Sequence, residues 1–91
     1  MIWRLAPGQT LRCREWQGEH VVYNDVSGDT HQLTDSAMHV LSALRTGPLD
    51  EGALAAGLRA EFDAEGGEVA DADIAALLAA LRAIALIEAV P

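Results

Sequence analysis

Thr30-His31-Gln32-Leu33-Thr34-Asp35-Ser36-Ala37-Met38-His39-Val40-Leu41 contains a single change of hydrophobic period, at Leu33-Thr34. Before that point the residues read at the two-residue period of strands, with turn signals between them. After it they read at the helical period until the sequence ends. The predicted order is strand, strand, strand, helix, helix, helix. This is an α+β arrangement in which a three-stranded antiparallel sheet precedes three helices.

Upstream of the switch, Thr30 to Leu33 is short, polar and Thr-bearing, as edge strands are. Asp25-Val26-Ser27-Gly28-Asp29 is dense in turn formers. Glu19 to Asn24 has strong strand character from Val21, Val22 and Tyr23, and Leu11 to Trp16 is its partner. Gln17-Gly18 between them reads as a two-residue hairpin loop, because glycine supplies the positive φ such a turn needs. That loop sets Trp16 opposite Glu19, Arg14 opposite Val21 and Arg12 opposite Tyr23. One face then carries Trp16, Val21 and Tyr23 with the arginines over the rings, and the other carries Leu11, Cys13 and Val22. Alternation alone leaves open which face meets the core. Arginine stems over aromatic rings suit a solvated side, which favours Leu11, Cys13 and Val22 inward. Ile2 to Leu5 reads as a short strand or an arm, and Ala6-Pro7-Gly8-Gln9 as a turn.

Downstream, Thr34 or Asp35 is expected to cap a helix with the apolar set Ala37, Val40, Leu41 and Leu44, stopped by Gly47-Pro48. Asp50 is expected to cap a second helix bearing Leu54, Leu58 and Phe62. Glu65-Gly66-Gly67-Glu68 reads as a flexible acidic loop. Asp71 or Asp73 is expected to cap a third helix with Ile74, Leu77, Leu78, Leu81 and Ile84, which Leu86-Ile87 leaves as a short closing segment.

A chain of 91 residues is expected to form one domain, residues 1–91, because a second core would not fit. All six cations are arginine against fourteen acidic residues, giving a net charge of −8. The acidic helical half repels phosphates, which argues against nucleic acid, and suits either a basic partner or simple solubility. The one cysteine, Cys13, permits no internal disulfide. Met1-Ile2-Trp3-Arg4 lacks the pattern of a signal peptide. Ile74 to Ile87 is interrupted by Arg82 and too short to span a bilayer. The expectation is a cytoplasmic protein without membrane association.

No enzyme motif is present: the chain has no glycine-rich phosphate loop, no paired-cysteine metal spacing and no nucleophile with a motif-grade base. His20, His31 and His39 with Cys13 match no metal-ligand spacing, so neither metal nor cofactor is expected. Asp35-Ser36 is similar to the Asp-Ser of phosphopantetheine carriers, but thirty-odd residues of strand character precede it. Ser36 is better explained within a helix cap. The second and third helices are similar to a helix-turn-helix, and a β-ribbon beside three helices to a winged helix. An acidic winged-helix DNA-binding regulator is therefore the alternative, although its recognition helix would carry one arginine and mostly alanine. On a helical wheel Asp73, Ala76, Leu77, Ala80 and Ile84 form a strip beside the core stripe. Its small residues either reflect helix propensity or let another backbone lie close. A guest peptide could pair with the third strand and rest on that strip.

Val21 to Leu33, and above all Ser27-Gly28-Asp29-Thr30-His31-Gln32-Leu33, resembles the strand–turn–strand of the PqqD-like peptide chaperones. In particular it resembles the branch associated with HPr-kinase-related proteins, with its Ser-Gly-Asp-Thr-His-x-Leu run. Leu44-Arg45-Thr46-Gly47-Pro48, the helix at Leu54 to Leu58 and the terminal pair Leu86-Ile87 fit as well. The family usually has glycine before that pair, where this chain has Ala85. The resemblance implies a winged-helix-like recognition element for ribosomally made precursor peptides, itself not an enzyme. It further implies that a leader peptide adds as a strand beside Asp29, Thr30, His31, Gln32 and Leu33. The guest would pack on the strip of Asp73, Ala76, Leu77, Ala80 and Ile84 and be presented to a modifying enzyme, for this branch an HPr-kinase-related protein. Backbone pairing gives affinity indifferent to sequence, and side-chain pockets give selection. An open strand edge also permits a homodimer.

Overall fold

The computed structural model describes residues 1–62 and 70–90. Along the chain, β1 (Ile2–Leu5), β2 (Leu11–Trp16), β3 (Glu19–Asn24) and β4 (Thr30–Leu33) precede α1 (Asp35–Leu44). Then follow β5 (Leu49–Asp50), α2 (Glu51–Phe62), α3 (Asp71–Ala83) and β6 (Ile87–Val90). The strands form two antiparallel three-stranded sheets, β2-β3-β4 and β5-β1-β6. With three helices this is an α+β fold, compatible with a winged-helix-like arrangement.

The first sheet has the expected register: Trp16 opposite Glu19, Arg14 opposite Val21 and Arg12 opposite Tyr23. Gln17 and Gly18 both take positive φ, 52° and 79°, which matches the twist of the flanking strands. Val22 is fully buried, with Leu11, Cys13 and Leu33 packed against the core from the same face. Trp16 is 70% exposed on the other face. The inward side is therefore the one that the arginine argument favours.

The second sheet goes beyond the sequence expectation. Ile2–Leu5 is a strand rather than an arm, paired with Val90–Ile87 on one side and with Asp50-Leu49 on the other. The closing segment after α3 is thus a strand over Ile87–Val90, and the described residues form six strands instead of the three expected. Trp3 at its centre is buried, and its indole N–H has no hydrogen-bond partner.

Thr34 caps α1 by accepting from the Ala37 N–H at 3.2 Å, and Asp50 Oδ1 accepts from the Ala53 N–H at 2.6 Å before α2. Ser36 Oγ lies 3.2 Å from Thr34 Oγ, within the cap. For α3 the expected caps are corrected: Ala70 holds the N-cap position. Asp73 sits three residues into the helix and accepts from the Ala70 N–H at 3.4 Å. That is half of a capping box, since alanine has no oxygen to return the bond. The acidic loop expected at 65–68 lies outside the described residues.

The core unites both sheets and all three helices: Trp3, Val22, Val40, Leu41, Leu54, Leu58, Ile74, Leu78, Leu81, Leu86 and Ile87 form one cluster. The helix stripes read from sequence supply it, with Phe62, Leu77 and Ile84 half-buried at its margin.

Candidate functional site

β4 pairs with β3 on one side, and among the described residues nothing pairs with its other side. Which backbone groups face that open side follows from the register. In an antiparallel ladder opposite residues alternate between pairs that exchange hydrogen bonds and pairs that do not. The Asn24 N–H donates to the Asp29 carbonyl at 2.9 Å, which marks that pair as bonded. The next bonded pairs are therefore Val22 with His31 and His20 with Leu33. Tyr23 with Thr30 and Val21 with Gln32 are the non-bonded pairs. The N–H and C=O groups of Thr30 and Gln32 consequently point away from β3 into the open edge. Both residues are exposed, whereas His31 and Leu33 are half-buried on the inward face.

Asn24 positions this edge, and the sequence gives no sign of it beyond its place at a turn. It is 4% exposed. Its Oδ1 accepts from the Val26 N–H at 3.0 Å and its carbonyl from the Gly28 N–H at 2.9 Å, which shapes the turn leading into β4. Its Nδ2 donates to Gln9 Oε1 at 2.6 Å, and Gln9 Nε2 donates to the Leu86 carbonyl at 3.1 Å. The β3–β4 turn is thereby tied to the corner where α3 meets β6. At the other end of β4, His20 Nε2 is 2.6 Å from Asp35 Oδ1, which joins β3 to the first turn of α1.

On α3, Asp73, Ala76 and Ala80 are exposed and Leu77 and Ile84 half-buried. Leu77, Ile84 and Leu33 all pack against the common core, so edge and strip share a foundation. No hydrogen bond or ion pair joins the two directly among the described residues. Asp29 is exposed at the entrance to β4.

The residues weighed for other chemistry have local roles. Cys13 Sγ accepts from Arg45 Nη2 at 2.9 Å. His39 packs edge-on against Phe62 with ring centroids 5.9 Å apart. Among the described residues no three or more His, Cys, Asp or Glu side chains are grouped to hold a metal ion. No described helix is long and apolar enough to cross a membrane.

A short sheet edge with outward-facing backbone groups is the element used by domains that receive an extended peptide as an added strand. The PqqD family, described as coenzyme PQQ synthesis protein D, matches residues 19–87, which run from the start of β3 to the start of β6. The chain belongs to this family of non-catalytic chaperones for ribosomally made precursor peptides. No curated protein and no solved structure matches it.

Proposed function

We propose that this protein binds the leader segment of a precursor peptide by strand addition at β4 and presents the remainder to a modifying enzyme. The observation that carries the reading is the outward backbone of Thr30 and Gln32 on an unpaired edge. In this reading Asp29 to Leu33 is the docking edge, and Asp73, Ala76, Leu77, Ala80 and Ile84 form the wall. The sequence run Ser27 to Leu33 supports the branch associated with HPr-kinase-related proteins, with such a protein as the enzyme partner. The same edge is the place for a homodimer when no leader is bound.

Energetics set the division of labour. Two residues offer two donors and two acceptors, each bond worth about 0.5–1.5 kcal/mol net. The resulting total of about 2–6 kcal/mol is largely consumed by ordering the guest. Apolar anchors against Leu77 and Ile84 must supply the remainder, and the exposed Ala76 and Ala80 allow a backbone to approach.

The test is calorimetric titration of the leader of the precursor that co-purifies with the protein, identified by mass. Gln32→Pro removes an outward N–H and leaves the β3–β4 ladder bonds in place, so affinity falls about two- to tenfold while the fold persists. Glu15→Pro is the matched control, because the β2–β3 register places its N–H outward on the opposite edge of the sheet. Equal affinity of the Gln32→Pro and wild-type proteins would remove β4 as the docking edge. Ala80→Glu probes the wall in the same assay, and unchanged binding there would move the wall elsewhere.

A further inference from the structure

The outer face of the β2-β3-β4 sheet carries, side by side, two of the three arginines without an ion-pair or hydrogen-bond partner among the described residues; the third, Arg82, lies apart on α3. Arg4 pairs with Glu88, Arg59 with Asp71, and Arg45 donates to Cys13. Arg12 and Arg14 have no ion pair or hydrogen-bond partner from their side chains among the described residues, although the chain carries fourteen acidic residues. Both lie on the solvated side of β2, two residues apart, hence about 7 Å along the strand. With Val21 and Tyr23 they line a depression of about 210 Å³. Trp16 follows on the same face at 70% exposure, and Tyr23 is 38% exposed. Glu19, opposite Trp16, is the acidic residue on this face of the ladder.

Arginine, tyrosine and tryptophan are the residue types that carry most binding energy at protein interfaces. Here they are grouped on one solvated face. The charge contrast selects the occupant. A net charge of −8 disfavours a long polyanion such as nucleic acid, which would run past this face onto the acidic remainder, whereas the two neighbouring guanidinium groups suit a short segment with two carboxylates held in bidentate geometry. We propose that this face docks an acidic segment of a partner protein. Two of its carboxylates, about 7 Å apart, engage Arg12 and Arg14, and an apolar side chain beside them covers Trp16.

This surface is distinct from the β4 edge, yet continuous with it. Thr30 and Gln32 lie opposite Tyr23 and Val21 on the same side of the sheet. A strand added at β4 would extend the face on which the acidic segment sits, so one partner could touch both the carrier and its guest. The proposal goes beyond leader capture and does not require it.

The experiment maps amide shifts of the isotope-labelled full chain titrated with the synthetic peptide acetyl-Glu-Ala-Glu-Ala-Leu-amide. Its counterpart with lysine in place of glutamate is titrated in parallel. Expected are shifts confined to residues 11–16 and 19–23, and an affinity that falls as salt is added. The double variant Arg12→Gln, Arg14→Gln should lose at least tenfold, and Trp16→Ala a smaller amount. The absence of shifts at Asp29 to Leu33 separates this surface from the leader edge. Equal binding of the lysine peptide, undiminished binding by the double variant, or shifts lying on the helices would overturn the assignment.

Discussion

The two sheets are of equal strand number but opposite construction. In β2-β3-β4 every pairing joins strands adjacent in sequence, through a two-residue loop and a five-residue turn. In β5-β1-β6 the central strand pairs with segments far away along the chain, Ile2 with Asp50 and with Val90. The first sheet keeps an exposed face and an open edge at β4. The second places Trp3 and Ile87 inside the core. The difference teaches a division of roles: the locally paired sheet is left free for the proposed docking, and the non-locally paired one fastens the start of the chain and the end of α3 together. The family match begins at β3 and ends at Ile87, so it includes the β4 edge and excludes β1 and β2.

The strongest way to break this comparison is at Trp3. Trp3→Ala removes the largest side chain of the fastening sheet from a site that is 4% exposed, and should cost about 3–5 kcal/mol in chemical denaturation. A loss below about 0.5 kcal/mol, the size expected for a surface change, would show that the second sheet is dispensable to the fold. Next in size is Asn24→Ala. It strips the β3–β4 turn of the two hydrogen bonds that Asn24 Oδ1 accepts from the Val26 and Ser27 N–H groups and cuts the Gln9 link to the other sheet. Leaving buried groups unpaired costs about 1–3 kcal/mol. If Asn24 couples the sheets, hydrogen exchange should rise both at Val26 to Asp29 and at the Leu86 corner. A rise confined to the turn would reduce Asn24 to a local role.

How far the sequence reveals the molecule follows the same line. Turn chemistry acts over a few residues, so Gln17-Gly18 gave the hairpin register, and the short polar run Thr30 to Leu33 gave the edge. The helix stripes were legible because their period is local. Ile2 to Leu5 was ambiguous between strand and arm because its partner strand Ile87–Val90 lies at the far end of the chain, and four residues carry too little pattern to announce such a pairing. Leu49-Asp50 is two residues long and reads as a helix start. Asp71 and Asp73 are good cap residues by type, yet the helix begins at Asp71 itself, which leaves the N-cap position to Ala70. At the site, the residues of the edge were readable, but the outward direction of Thr30 and Gln32 depends on the Asn24–Asp29 hydrogen bond, which composition does not encode.

The corner that feeds β6 offers a gain of stability rather than a loss. Ala85 has φ of +62°. The Leu86 N–H donates to the Leu81 carbonyl at 3.1 Å and the Ala85 N–H to the Arg82 carbonyl at 2.9 Å. This is the two-bond helix stop that favours glycine at the left-handed position. A non-glycine residue there costs roughly 1–2 kcal/mol, partly offset by the greater freedom of glycine when unfolded. Ala85→Gly should therefore stabilise the protein by about 0.5–1 kcal/mol, seen as a higher denaturation midpoint with unchanged slope. Destabilisation would mean that the Ala85 methyl group has a packing role that outweighs its strain.

The smallest effect concerns the ion pair across the fastening sheet. Arg4 and Glu88 sit opposite each other on β1 and β6, with Arg4 Nε 2.6 Å from Glu88 Oε1. Their side chains are 44% and 37% exposed, so water screens the attraction and immobilising two long side chains offsets part of it. A double-mutant cycle of Arg4→Ala and Glu88→Ala should give a coupling of about 0.2–1 kcal/mol that shrinks as salt is raised. If the second sheet is held by Trp3 and the core, breaking this pair leaves cooperative unfolding intact. A coupling above about 2 kcal/mol, beyond the range of exposed pairs, would instead show that the β1–β6 seam depends on its surface charges. The contrast between a core-fastened sheet and an open working sheet would then have to be redrawn.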